Sequence, residues 1–277
     1  MKEKRRMIGY SEGVFLKRRV MLVFSVVALA GAYSNASQSR AQVPTERKPL
    51  TFEVASVRPA KPGAVRMRLP GPLPGGQRYV ANSPLMVMIM SVYRMTDKQI
   101  LEAPNWMFSD PWDVVASAEH PSTREQLQEM FQTLIVDRFK LRFHRETKEI
   151  FAYVLSAEKS GSKLKRSDAE DQFDIPIKEG ERGVRVGTRV PMSYLSWHLS
   201  ISLNAPVVDK TGLDGFYDFT LDRTSVPPQE TADPMLDGPG SADLRIAVRE
   251  QLGLKLEYRK TPVDVLVIDH VERPSEN

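Results

Sequence analysis

Apolar residues fall at helical spacing in four stretches of this chain and alternate with polar ones in most of the stretches between. The order of these stretches occurs twice. In the first pass residues 77–82 read as a short strand, and Ser83 as N-cap with Pro84 at the first helical position opens a helix whose Leu85, Met88, Ile89, Val92 and Tyr93 share one stripe. Residues 99–103 and 112–119 read as two strands joined by a turn holding Pro104, Asn105, Asp110 and Pro111. A second helix starts at Ser122, where Glu125 completes a Ser-x-x-Glu capping box, and carries Leu127, Met130, Phe131, Leu134, Ile135 and Phe139 along one side. Strands over residues 140–147 and 151–159 close the pass.

The second pass repeats this order. Residues 184–190 read as a strand, residues 192–203 as a helix burying Met192, Leu195 and Leu199, and residues 207–211 and 216–222 as strands around the turn Gly212-Leu213-Asp214-Gly215. A helix from Asp243 places Leu244, Ala247, Val248 and Leu252 on one face and stops near Gly253. Residues 255–261 and 263–272 are the last two strands, and Val263 to Asp269 are apolar enough for the middle of a sheet. Trp112-Asp113-Val114 matches Tyr217-Asp218-Phe219, and Lys140-Leu141-Arg142-Phe143 matches Lys255-Leu256-Glu257-Tyr258. The expected class is α+β, two tandem pseudo-repeated β-α-β-β-α-β-β halves with helices packed on mixed or antiparallel sheets.

Upstream of the first pass, residues 51–59 alternate as a strand with Phe52, Val54 and more weakly Ser56 inward, and the Pro- and Gly-dense residues 60–77 read as a long surface loop. The resulting division is a leader over 1–41, an N-terminal strand and Pro/Gly-rich loop over 42–76, a first half over 77–159, a charged linker over 160–182 and a second half over 183–277.

Charge changes this picture only at the leader. Of the 39 Lys and Arg residues eight lie within the first 41 positions, with only two of the 35 acids, so the formal charge of +4 belongs to that segment. The remainder has no basic excess for nucleic acid. Basic residues up to Arg19 precede an apolar run from Val20 to Ala32 and small residues that offer export cleavage after Ala36 or Ala41. The run is shorter than the roughly 20 residues of a membrane span. The reading is an exported protein, periplasmic or secreted, that meets the membrane only in transit. With no cysteine in the chain, disulfides, thiol catalysis and Cys-ligated metals are excluded.

Candidate chemistry is sparse. Asp209-Lys210-Thr211-Gly212 resembles a phosphorylated-aspartate loop but continues with Leu213, and reads as a strand end entering a tight turn. Ser160-Gly161-Ser162-Lys163, Ser202-Leu203-Asn204 and Lys210-Thr211-Gly212 have the order of the penicillin-recognising serine motifs, yet Ser160 sits in a Gly/Ser/Lys connection, and Asn204 and Lys210 are too close for separate elements. His120, His144, His198 and His270 form no close pair. Asp209, Asp214, Asp218 and Asp222 fit no calcium-loop spacing, and Met86, Met88 and Met90 point to different helix faces. Gly75-Gly76 reads as a turn rather than a phosphate cradle. No catalytic, cofactor-binding or metal-binding residue is assigned.

Phe-Glu-Val-Ala-Ser-Val-Arg-Pro from Phe52, the Trp112-Asp113-Val114 strand, residues 134–150, residues 207–221 and residues 250–277, behind a signal peptide, resemble an exported family of unknown function described as soil-associated bacterial proteins. The resemblance covers nearly the whole chain after the leader, apart from a variable loop over residues 227–240. It implies export, many paralogous copies per genome and no assigned activity. Related domains on the outer side of membrane metalloprotease sensors point to sensing or binding. The expectation is a non-catalytic binding module whose partner is an envelope component or extracellular polymer. The alternatives are an envelope- or polymer-directed hydrolase with an unidentified site and a structural protein that self-associates through sheet edges.

Overall fold

A computed structural model of the chain describes residues 49–61, 67–170, 173–225 and 242–275. The leader over 1–41, with Ala36 and Ala41, and the variable loop over 227–240 lie outside the described residues. In chain order the first stretch contains β1 (Val54–Pro59), β2 (Arg68–Pro72), β3 (Arg78–Pro84), α1 (Leu85–Tyr93), β4 (Ile100–Leu101), α2 (Trp106–Ser109), β5 (Pro111–Ser117), α3 (Arg124–Arg138) and β6 (Arg142–Ala157). The second contains β7 (Lys165–Arg166), β8 (Ile177–Glu179), β9 (Val184–Pro191), α4 (Met192–Leu203), β10 (Val207–Asp209), β11 (Phe216–Asp222), α5 (Ala242–Leu252) and β12 (Leu254–His270).

The class is mixed α+β. Two outer sheets, ordered β1-β5-β3-β2 and β7-β11-β9-β8, are antiparallel, and a central mixed sheet is ordered β10-β6-β12-β4. In the central sheet β6 and β12 run antiparallel, while β10 pairs parallel with β6 and β4 parallel with β12. Trp112 and Tyr217 each stand second in their strands, opposite Ser83 and Val190, and each of those residues lies two positions before a helix.

Several local expectations change. Residues 140–147 and 151–159 fuse into β6, and residues 255–261 and 263–272 into β12, so each pass ends in one long strand instead of two. Their ladder runs without a break from Leu254 opposite Ala157 to Val263 opposite Lys148. Pro262 is tolerated inside it because β12 gains its second neighbour, β4, only at Leu266 and Val267. Neither expected hairpin forms, since β4 and β5 belong to different sheets, as do β10 and β11. The turn Gly212 to Gly215 carries the chain between sheets, and the segment after β4 folds as α2.

Within the Pro/Gly-rich stretch β2 pairs with β3, because an edge strand has a free side where Pro70 and Pro72 need no N–H. In β1 the buried residue is Val57, while Val54 is 65% exposed; Phe52 lies before the strand, so its phase does not carry through. The stretch read as a charged linker contributes β7, β8 and the buried Ile177 to an outer sheet.

Caps shift by one residue. Thr123, not Ser122, caps α3: its Oγ1 accepts from Gln126 N at 3.2 Å and its own N–H donates to Gln126 Oε1 at 2.9 Å, while Ser122 Oγ donates to His120 O. Ser83 ends in β3 with its hydroxyl buried and unpaired, and extended Pro84 precedes α1. Thr123→Ala is expected to cost about 1 kcal/mol in urea denaturation, whereas Ser122→Ala should cost about half a kcal/mol or less; the reverse order would return the cap to Ser122.

Two cores form, and each borrows from the other pass. Leu127, Phe131, Ile135 and Phe139 of the first core pack with Leu266 and Ile268 of β12. Leu195, Leu199, Leu244 and Val248 of the second pack with Tyr153 and Leu155 of β6.

Candidate functional site

Helix α1 stops at Arg94, which takes the left-handed conformation (φ +54°) and donates its N–H to Met90 O; Met95 N–H donates to the same carbonyl. Gly or Asn usually fills such a position, and an arginine there is backbone strain held in place by its surroundings. The half-buried guanidinium lies 4.8 Å from the centre of the Tyr194 ring on α4, and Nη2 donates to Gln128 Oε1 on α3 at 3.4 Å. Gln128 is fixed in turn by donating to Val92 O at 2.8 Å. Three helices therefore position one cation. Among the described residues no carboxylate lies within ion-pair distance of Arg94. Burial pulls its pKa below the usual arginine value, with Tyr194 and Tyr79 opposing the change; a guanidinium stays charged regardless.

Arg124, the first residue of α3, stands 5.9 Å from the Phe173 ring centre and donates Nη2 to Asp174 O at 2.8 Å. Tyr79 of β3 is buried with its ring stacked on Phe131, 4.4 Å between centres. Burial raises the Tyr79 and Tyr194 pKa values, against the pull of Arg94 and then Arg124, so both phenols stay protonated donors at neutral pH. Trp197 is locked beside them by its Nε1–H donating to Met95 O at 3.1 Å and by an edge contact with Tyr194.

Two cavities meet at this cluster. One of about 690 Å³ is lined by Arg189, Lys178 and Phe216, the other of about 460 Å³ by Met67, Leu69 and Trp197; Arg94, Arg124 and Gln128 line both. Arg189, also left-handed (φ +53°), stacks 3.7 Å from the Phe216 ring centre, and its N–H donates to Asp218 Oδ1 where the pairing of β9 with β11 is irregular. Cavities of this size suit a small ligand. The smaller is mainly apolar with a few convergent polar groups, while the larger is lined mostly by charged and polar side chains. Guanidinium forks and phenolic O–H groups suit an anion.

The residues singled out from sequence lie elsewhere. Asp209 Oδ1 accepts from Thr211 N and Oγ1 at the end of β10, Asp222 Oδ1 from Thr224 N and Oγ1, and Asp214 O from the Tyr217 hydroxyl. With Asp218 Oδ1 accepting from Arg189 N between β11 and β9, the four aspartates are engaged in separate local structures. Ser162 Oγ accepts from Leu164 N, Lys163 Nζ donates to Glu250 O at 2.5 Å, Ser202 Oγ donates to His198 O, and Asn204 ends α4 with its carbonyl on Lys98 Nζ. These serine-motif residues are thus bound into different local structures.

Met86 and Met88 are core residues, and Met90 packs at the core margin. His144 bridges Asp269 at 2.8 Å and Glu146 at 3.2 Å, His270 contacts Glu272 at 2.7 Å, and His120 contacts Glu119 at 3.5 Å. Among the described residues no group of three His, Asp or Glu is placed to hold a metal. His198 on α4 has a buried Nε2 without a hydrogen-bond partner, and burial followed by the Arg185 charge lowers its pKa to about 4.

Sequence reading missed Arg94, Tyr194 and Trp197. The available signal was an arginine at the stop of α1, where no Gly or Asn ends the apolar stripe.

A family model described as "Protein of unknown function (DUF3738)" matches residues 86–271. No curated protein and no solved structure matches the chain.

Proposed function

Because the chain belongs to this family of unknown function, kinship supplies no activity, and we propose from the geometry that it is an exported, non-catalytic binding module that holds an anionic ligand at Arg94. The carrying observation is a half-buried guanidinium at the meeting point of two cavities, with aromatic rings around it and no carboxylate within ion-pair distance among the described residues. Desolvating a charge without a counter-charge is costly, and an incoming anion relieves that cost. Export rests on the basic and apolar leader with its cleavage sites after Ala36 and Ala41. Among the described residues no helix is long and apolar enough to cross a membrane. The partner is then an envelope or extracellular component bearing an acidic group. The shared element order of residues 78–157 and 184–270 supports a tandem origin, with the cleft built at unlike ends of the two copies.

Calorimetric titration of the purified protein with benzoate and with inorganic phosphate tests the site. Arg94→Gln should weaken the better ligand about 10- to 100-fold, the weight of one charge-assisted hydrogen bond, with Arg94→Lys in between. No binding of either anion, or equal binding by wild type and Arg94→Gln, defeats the proposal.

A further inference from the structure

We infer, building on the anion-site reading, that the ligand is a monocarboxylate amphiphile whose apolar body lies in the 460 Å³ cavity with its carboxylate on Arg94. Exposed apolar side chains gather at that cavity. Of the nine large hydrophobic residues exposed among the described residues, Met67 (63%), Leu69 (52%) and Ile175 (59%) line it, and Val186 lines its neighbour. Such a concentration marks a contact surface rather than chance exposure. Phe173, Tyr194 and Trp197 supply aromatic walls leading to the charged end.

Charge sets the head group. Among the described residues the larger cavity carries Arg94, Arg124, Lys178 and Arg189 against Glu125, Glu129, Glu170 and Asp174, an even balance. Glu125 is also the acid whose field reaches Arg94. A polyanion meets repulsion there, whereas a single negative charge matches Arg94, which has no carboxylate within ion-pair distance among the described residues. A phosphate monoester carries about −1.5 to −2 at neutral pH and fits less well. Among the described residues the one acid lining the smaller cavity, Asp174, is already paired with Lys178.

Shape sets the tail. At about 30 Å³ per water-sized group, 460 Å³ holds on the order of a dozen heavy atoms. A peptide adding as a strand to the β2 edge is disfavoured, since Pro70 and Pro72 remove two of the five N–H groups there.

The test is titration of the purified protein with butanoate, octanoate, decanoate, decanol and decyl phosphate, followed by calorimetry and by Trp197 fluorescence with Trp197→Phe as the blank. Affinity should rise about two- to fourfold per methylene up to roughly ten carbons. Decanol and decyl phosphate should each bind at least about tenfold more weakly than decanoate, the loss of one charge-assisted bond or more. Leu69→Asn, an uncharged polar change at an exposed position of the cavity wall, should flatten the chain-length series. Butanoate and decanoate binding equally, both dependent on Arg94, would overturn the amphiphile and leave the anion site standing. Decyl phosphate outranking decanoate would overturn the carboxylate head. Decanol matching decanoate, with Arg94→Gln silent, would overturn both readings.

Discussion

Phe131→Ala should lower stability by about 3–5 kcal/mol, the range for removing a large aromatic side chain from a packed core. Phe131 is fully buried on α3 within the first core, where Leu127 and Ile135 flank it at helical spacing and the ring stacks on Tyr79. The core it belongs to draws on α1, α3, β3 and the far end of β12, so no single element can close over the void. A second loss follows. Without Phe131 behind it, Tyr79 has no fixed face to present to the cleft, and anion affinity should fall even where the variant remains folded. Urea denaturation should show a lower midpoint at unchanged slope. A loss below about 1 kcal/mol would mean that the core relaxes around the deletion and that Tyr79 is held by other contacts.

Acid should destabilise the protein well before its carboxylates titrate, and His198 is the reason. Burial and the neighbouring Arg185 lower its pKa from 6.5 to about 4 in the folded chain. Below pH 6.5 the unfolded chain takes up a proton that the native state refuses, so stability is complete above that pH and falls as pH drops to 4. The full excursion is about 3 kcal/mol at 1.36 kcal/mol per pH unit. His198→Gln should remove most of that slope. Urea midpoints at pH 7, 5.5 and 4 for both proteins check it, and parallel pH profiles would put the titration elsewhere. His144 acts in the opposite sense: its bonds to Glu146 and then Asp269 raise its pKa, so its small exposed contribution is present at low pH and lost as pH rises.

How far the sequence discloses this molecule depends on whether a feature is local. The buried faces of α3 and α4 were readable because periodicity and burial follow from the same 3.6-residue repeat. All six apolar positions read for α3 are buried, and α4 spans the expected residues. The capping shift from Ser122 to Thr123 reflects two overlapping boxes, Ser-x-x-Glu and Thr-x-x-Gln, that local chemistry ranks almost equally. Sheet membership was not readable. Gly212 to Gly215 has every mark of a hairpin turn, yet β10 finds a parallel partner in β6, because which strand is nearest is settled by packing across the whole fold. Arg94 escaped notice for a similar reason: its neighbours Gln128 and Tyr194 lie 34 and 100 positions away in the chain.

The exchange of core residues between the two long strands governs how the chain reaches its native state. β12 must find β6 across roughly a hundred intervening residues, with Leu254 opposite Ala157 and His270 opposite Arg142. Until it does, the first core lacks Leu266 and Ile268, and β6 has no partner for most of its length. Contacts this distant place the protein at the slow end of folding rates, milliseconds to seconds rather than microseconds. A half-synthesised chain therefore carries a sticky, unzipped strand edge, and neither pass can be expected to live as a miniature on its own.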